Sequence, residues 1–287
     1  MLSVTSGFLG GKGIASPRLE AELLLGRALG LSRIGLSVSP ARELTAEEVD
    51  GYRELVRRRA GHEPAAYILG EREFYSLPFK VTPCTLIPRP ETEHLVDEAV
   101  LFVRGLTAPR PGPAAAPAAA LCDVGTGCGA IAAALARNLP QASVEASDVS
   151  PGALACAREN LAALGLADRV NLVEGDLLDA PFRSHLFDAV CANLPYIPSS
   201  MIAGLPPDVR DYEPRSALDG GPDGLALHRR LLPQAAGRLR PGGAVFLECQ
   251  PDQFPALEAA ARACGLSPRP PALDYSGRER IFSAASL

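Results

Sequence analysis

No run of apolar residues in this 287-residue chain approaches the roughly 18–20 that a membrane-crossing helix needs. Its opening residues, MLSVTSGFLGGKG, lack the charged start, apolar stretch and small-residue cleavage site of a secretory signal. Seven cysteines stand at 84, 122, 128, 156, 191, 249 and 264, an odd number with no C-x-x-C pair, which argues against a zinc site and against a disulfide framework. An excess of positive charge is also missing. The 28 basic and 33 acidic residues leave a net charge of −5, so coating nucleic acid is not the main business of the chain, although a local basic patch is not excluded. Together these absences point to a reducing compartment, the cytoplasm.

What is present is globular: 47% hydrophobic and 21% charged residues are too apolar for wholesale disorder. At about 150 residues per domain, the length predicts about two domains. Residues 17–60 read as helical. Ser16-Pro17 opens LEAELLLGRALG, with leucines at helical spacing, and Gly30 ends it. Thr45 with Glu48 forms a capping box ahead of VDGYRELVRRR. Arg57-Arg58-Arg59 reads as a solvated helix end or, more sharply, as a contact to an acidic or RNA-bound partner.

Residues 62–90 alternate aromatic and β-branched residues between prolines, as in a hairpin with a connecting loop, and ETEHLVDEAVLFVR then reads as an amphipathic helix. The Ala/Pro stretch 106–120 reads as a tolerant surface loop running into a strand. From 121 onward strands and helices alternate: AALCDV, SVEAS, VNLVE, FDAVCAN, GAVFLEC and ERIFSA are the strands. This pattern predicts an open α/β sheet with helices on both faces and ligands at the carboxyl ends of its strands.

Asp123-Val-Gly125-Thr126-Gly127-Cys128-Gly129 follows the first of these strands and opens a helix. Its G-x-G-x-G spacing departs from the dinucleotide fingerprint, and the acid before Gly125 suits a cationic ligand better than a pyrophosphate. A tight turn with no ligand is the plain alternative. Asp148 ends the next strand, about 20 residues beyond the glycines, where a carboxylate can take both ribose hydroxyls. Asp176 ends the strand after that, within reach of an adenine amino group, with Leu177 to pack on the ring. Each acid alone could be a cap or turn former. Three acidic strand ends in register, at 123, 148 and 176, describe a nucleoside site without phosphate chemistry, as S-adenosylmethionine requires.

The fourth strand runs into Asn193-Leu194-Pro195-Tyr196. A planar amide or aromatic –NH2 is a poor nucleophile and must be held in line with the methyl group. The Asn193 side-chain oxygen and the carbonyl of Leu194 can each accept one of its N–H groups. Pro195 stiffens the turn, and Tyr196 can stack on a flat group. Positioning of this kind is worth up to roughly 7–11 kcal/mol of a barrier. The plain alternative is an Asn-capped proline turn. No general base stands out, so the proton leaves after transfer, to water or a nearby carbonyl. His62, His94, His185 and His228 lie outside the motifs and read as surface or packing residues, and Cys128 as a small residue tolerated in the turn.

At this point the chain resembles the peptide chain release factor N5-glutamine methyltransferases, the PrmC/HemK family, over nearly its whole length. The resemblance rests on SPRLEAELLLGRALGLSR, EPAAYILGEREFYSLPFKV, TLIPRPETEHLVDEA, DVGTGCGAIAAALA, FDAVCANLPYIP, DVRDYEPRSALDGGPDGL and DYSGRERIF. It implies a seven-stranded, Rossmann-like class I methyltransferase sheet with an antiparallel last strand. It also implies a small all-α N-terminal domain, residues 1–75, that docks the release factor, and a catalytic domain, 76–287, whose first part, 76–92, is hairpin and linker.

The implied reaction moves a methyl group from S-adenosylmethionine to the glutamine of the Gly-Gly-Gln motif in class-1 release factors, modulating translation termination and leaving S-adenosylhomocysteine. Gly125, Thr126, Gly127, Cys128 and Gly129 would cradle the methionine part. Asp148 would take the ribose, Asp176 and Leu177 the adenine, and Asn193, Leu194, Pro195 and Tyr196 the target amide. Arg89 and Thr92 of the PRPET segment would line the methionine end or, equally, hold the following helix. No metal, membrane or nucleic-acid partner is implied, and a monomer is expected.

Two departures stand out. Leu194 replaces the family's usual first proline, which keeps the carbonyl but loses a fixed φ. LECQPDQ, 247–253, lacks a glycine usual near Gln250, behind the site. Two competing readings remain: a methyltransferase acting on adenine N6 or guanine N2, which would flip its base, and a degenerate fold that only binds a partner.

Overall fold

The computed structural model describes residues 1–38, 42–106, 119–274 and 277–287; the Ala/Pro stretch read as a surface loop lies almost wholly outside the described residues. The chain divides into two compact units, Met1–Glu71 with Leu205–Tyr212, and Arg72–Gly204 with Glu213–Leu287.

The first unit holds helices α1 (Leu2–Gly11), α2 (Pro17–Leu29), α3 (Arg33–Val38), α4 (Ala46–Ala60) and α5 (Ala65–Leu69). Leu9, Ile14, Ala21, Leu24, Leu25, Tyr52 and Ile68 form its core. The Thr45–Glu48 capping box is in place at the start of α4. Helix α1 escapes the sequence reading because Gly7, Gly10 and Gly11 are poor helix formers; burial of Thr5 and Leu9 holds it. Helix α5 replaces the start of the expected hairpin, since Pro64, Tyr67 and Ile68 bury at i, i+3 and i+4 and Gly70 closes the turn at φ 81°.

The arginine run at the end of α4 is not a uniform solvated end. Arg57 pairs with Glu54 and Arg58 with Glu63, while Arg59 is 4% exposed and is held by Glu20 and Asp208. That last partner comes from Leu205–Tyr212, a segment without a helical-domain signal of its own, and the pairing leaves Arg59 no freedom to meet a partner molecule.

In the second unit, strands β1 (Glu71–Phe74) and β2 (Leu77–Lys80) form the hairpin. Its turn residues Tyr75 and Ser76 have φ 53° and 58°, the left-handed pair that a tight hairpin demands. Helix α6 (Glu93–Gly105) anchors the turn: the Tyr75 N–H donates to Glu93 and its hydroxyl to Asp97, at 2.7 and 2.6 Å.

The main sheet contains β3 (Ala120–Val124), β4 (Ser143–Asp148), β5 (Val170–Glu174), β6 (Phe187–Ala192), β7 (Leu239–Glu248), β8 (Leu266–Pro268), β9 (Ala272–Leu273) and β10 (Glu279–Ser286). The strand order is β5-β4-β3-β6-β7-β10-β8, with β9 paired beside β10. The path therefore has the seven strands implied by the resemblance, and β9 makes an eighth. Neighbours from β5 to β7 pair in parallel, and β10 is antiparallel to β7 and β8. Strands β8 and β9 span three and two residues, too few to show a period in sequence.

Helices α7 (Ala130–Asn138), α8 (Pro151–Ala163), α9 (Ala226–Arg238) and α10 (Phe254–Ala263) complete the unit. Both sheet faces are covered, which is why β3 and β6 are buried along their whole length. Val245 and Leu247 pack with Leu231 of α9 and Leu257 of α10, while Phe246 between them meets Phe102 of α6 edge-on at 5.5 Å. Among the described residues no helix is long and apolar enough to cross a membrane.

Candidate active site

The carboxyl ends of β3 to β6 open into a cavity of about 350 Å³, a size usual for small-ligand sites. Gly125, Thr126, Gly127 and Cys128 line it, as do Asp148, Asp176, Leu177, Arg89, Thr92, Asn193, Leu194 and Pro195. Gly129 and Tyr196, expected in the same site, do not reach the wall. Gly129 begins α7 and backs onto Ala157 of α8.

One side of the cavity is a strand–turn–helix. The carbonyl of Ser147 accepts the N–H groups of Gly125 and Thr126, at 2.8 and 2.9 Å, which pins the glycine turn to the end of β4. Gly125 has φ 75°, a conformation that favours glycine, and a Cβ there would stand 3.1 Å from Leu194 Cδ2, which would have to give way. Asp148 receives the Gly127 N–H on one carboxylate oxygen and the Ser150 N–H on the other, at 2.9 Å each. Those bonds fix the carboxylate at the cavity edge and leave it lone pairs for a diol. Leu177 adopts φ 53°, unusual for a branched side chain, and its carbonyl is held by the Ser147 hydroxyl at 3.1 Å. Asp176 is half-exposed and paired with Arg230, which also lines the cavity.

The three acids are not in register. Asp123 pairs with Ala146, two residues short of Asp148, and so lies inside the sheet rather than at its mouth. It is fully buried and accepts the Thr126 hydroxyl at 2.7 Å and the Ala132 N–H at 3.1 Å on a single oxygen. Its other oxygen is buried without a partner among the described residues, and burial with the nearby Asp148 charge pushes its pKa up to about 7. Asp123 thus braces the glycine turn instead of facing a ligand.

The other side of the cavity is the Asn193–Tyr196 turn, held from several distant segments. The Asn193 amide nitrogen donates to the Thr92 hydroxyl at 2.9 Å, which donates to Glu248 at 2.6 Å. The Tyr196 hydroxyl donates to the second oxygen of Glu248 at 2.9 Å, so its phenol is spent on the interior and does not face the cavity. Burial raises the pKa of Glu248, against the pull of the two hydroxyls and Arg280. The Gln253 amide donates to the Tyr196 carbonyl at 2.8 Å. Gly224 presses on the same carbonyl: a Cβ at Gly224 would fall 2.1 Å from it. The segment DGGPDG is therefore a backbone clamp on the turn, and LECQPDQ, read as lying behind the site, supplies two of its supports.

Arg89 reaches the wall, but its guanidinium is paired with the buried Glu213, which also accepts the Ile87 N–H at 3.2 Å. Cys128 is buried and its thiol is pushed up by desolvation, the opposite of an activated nucleophile. His228 is buried, and its Nε2 hydrogen bonds to the Glu248 carbonyl at 3.2 Å. Glu248, Gln253 and Glu213 escape the sequence reading. Their only signal is a polar residue among apolar ones, beside motifs already singled out.

Residues 1–70 match the family model described as "PrmC N-terminal domain", and residues 121–205 the model "Methyltransferase domain". The release factor glutamine methyltransferase of Moorella thermoacetica is 50% identical over 273 residues, 95% of this chain and 92% of that protein. The chain belongs to the release factor glutamine methyltransferase family. The enzyme of that name from Rhodopirellula baltica is 44% identical, over 88% of this chain and 83% of its own. Among solved structures, the hMettl16 catalytic domain shares the fold, with a TM-score of 0.57 and 18% identity over 79% of this chain and 81% of that one.

The cofactor of this methyltransferase family, S-adenosylmethionine, suits the residues present. A carboxylate anchored by two backbone N–H groups faces the cavity at Asp148, an apolar platform is set at Leu177, and the turn at Gly125 takes the positive φ that lets its backbone line the wall. Neither cation on the wall is committed to a phosphate site, since Arg89 is paired with Glu213 and Arg230 with Asp176.

Proposed function

We propose that this chain methylates the side-chain nitrogen of the Gly-Gly-Gln glutamine in class-1 peptide chain release factors, with S-adenosylmethionine as donor, and so modulates translation termination. The observation that carries the reading is that Asp148, Leu177 and the Asn193-Leu194-Pro195 turn line one and the same cavity. Bound there, S-adenosylmethionine supplies an electrophilic methyl group. Asn193 Oδ1 and the Leu194 carbonyl each accept one N–H of the glutamine amide. That fixes the nitrogen and takes up the positive charge that grows on it. Pro195 stiffens the turn behind these acceptors. Asp148 holds the ribose, Asp176 and Leu177 the adenine, and the Gly125–Gly129 turn the methionine part. The proton leaves after transfer, to water or a nearby carbonyl.

Residues 1–75 serve to dock the release factor. In this reading the chain is a cytoplasmic monomer acting on protein, in keeping with its net charge of −5. The test is methyl transfer from labelled S-adenosylmethionine to a purified class-1 release factor, with the modified residue mapped by mass spectrometry. A release factor lacking the glutamine, bulk RNA and bulk DNA are the parallel acceptors. Label on that glutamine alone is expected; label on nucleic acid would replace this reading with base methylation.

A further inference from the structure

A primary amide has two different ends, and only one of them helps this reaction. The target –NH2 gives hydrogens, so Asn193 must offer its oxygen; offering its own –NH2 would set donor against donor and leave both unpaired. Asparagine has no internal preference between the two orientations, so something outside it must choose.

The choice is made two hydrogen bonds away. Glu248, at the end of β7, is 1% exposed and meets one hydroxyl on each carboxylate oxygen, Thr92 on one and Tyr196 on the other. A carboxylate can only accept, so Thr92 gives it the one hydrogen it has. Thr92 Oγ1 can then only accept, and the Asn193 atom 2.9 Å from it must be the nitrogen. Asn193 Oδ1 is left on the other branch of the amide and takes no hydrogen from any described residue. Thr92 has no second duty at the helix it precedes, because its side chain makes no cap bond to α6.

We propose that Glu248 and Thr92 are positioning residues that select the orientation of the Asn193 amide, so that an acceptor and not a donor faces the nitrogen to be methylated. The proposal rests on the functional reading above and assigns Thr92 to the acceptor side of the cavity rather than to the methionine end.

The test compares Thr92→Val, which keeps the shape and removes the hydroxyl, with Thr92→Ser, which keeps the hydroxyl. Thr92→Val should lower kcat on the release factor roughly 10- to 100-fold, the size of an unpaired polar contact. Its KM for S-adenosylmethionine and its calorimetric affinity for S-adenosylhomocysteine should stay close to wild type, while its melting temperature falls because a buried Glu248 oxygen loses its donor. Thr92→Ser should restore most of kcat. If Thr92→Val turns over like wild type, or loses S-adenosylhomocysteine affinity in step with kcat, the relay is overturned while the functional reading stands. A wild-type protein that leaves the glutamine unmethylated overturns the functional reading, and the relay with it.

Discussion

The two sides of the cavity are built by opposite rules. On the nucleoside side the contacts join neighbouring strand ends: the Gly125–Gly129 turn, Asp148 and Leu177 end or follow three consecutive strands, tied by bonds such as Gly127 to Asp148 and Gly125 to Ser147. The acceptor side is four residues, Asn193 to Tyr196, held by Thr92, Gly224, Glu248 and Gln253, from other parts of the chain. A side made of local turns is tuned by its own sequence. A side made of distant props is only as good as the fold that gathers them, and damage to any prop should reach the chemistry.

The largest expected effect separates the sides outright. Asn193→Ala should lower kcat by at least about 10³-fold, because it removes an acceptor made for the reacting nitrogen. Calorimetric affinity for S-adenosylhomocysteine should barely change; equal loss of both would mean Asn193 belongs to the nucleoside side after all.

Gly224→Ala tests the props themselves. Its methyl group would sit 2.1 Å from the Tyr196 carbonyl at φ 79°, so the clamp must open. A loss of about 2–4 kcal/mol in denaturant unfolding is expected, with kcat falling in the molecules that remain folded. Full stability in this variant would show that the turn stands without its clamp.

His228 makes the same point through pH. Its buried ring has a pKa lowered to about 4 by desolvation, from an ordinary 6.5. Between those values the unfolded chain holds a proton that the folded ring refuses, so stability falls as pH drops from 6.5 to 4, by about 3 kcal/mol at most. His228→Met should remove that part of the slope in unfolding midpoints measured across the range. Parallel slopes in the two proteins would contradict it.

On the other side, Asp148→Ala should weaken S-adenosylhomocysteine binding about 10- to 100-fold, as expected for losing hydrogen bonds to a charged group. Turnover at saturating donor should suffer far less. An unchanged affinity would remove Asp148 from the ribose.

This contrast also explains what could be read from the chain alone. The alternation of strands and helices, the glycine turn, Asp148 and the Asn-Leu-Pro-Tyr turn are local patterns, and local patterns survive without coordinates. The misplacement of Asp123 is a register error: a two-residue offset between β3 and β4 is invisible when each strand is read by itself. Glu248 and Gln253 carry no local signal, because their meaning depends on what lies opposite them, and that is set by the order of the sheet. Arg59 looked like part of a charge run because its partner Asp208 lies far along the chain.

Leu194 belongs to both sides and gives the smallest expected effect. It is buried in the core and its Cδ2 sits against the glycine turn, 3.1 Å from where a Cβ on Gly125 would be. Its N–H makes no hydrogen bond with the described residues, so the donor that proline would remove is not in use. Leu194→Pro should therefore keep kcat equal or raise it, since the carbonyl that accepts the target N–H survives and φ becomes fixed. Stability should fall by about 1–2 kcal/mol as the leucine side chain leaves the core and a smaller ring replaces it. A large fall in kcat with the stability intact would mean that the turn is built around leucine, and that the contact with Gly125 couples the two sides of the cavity.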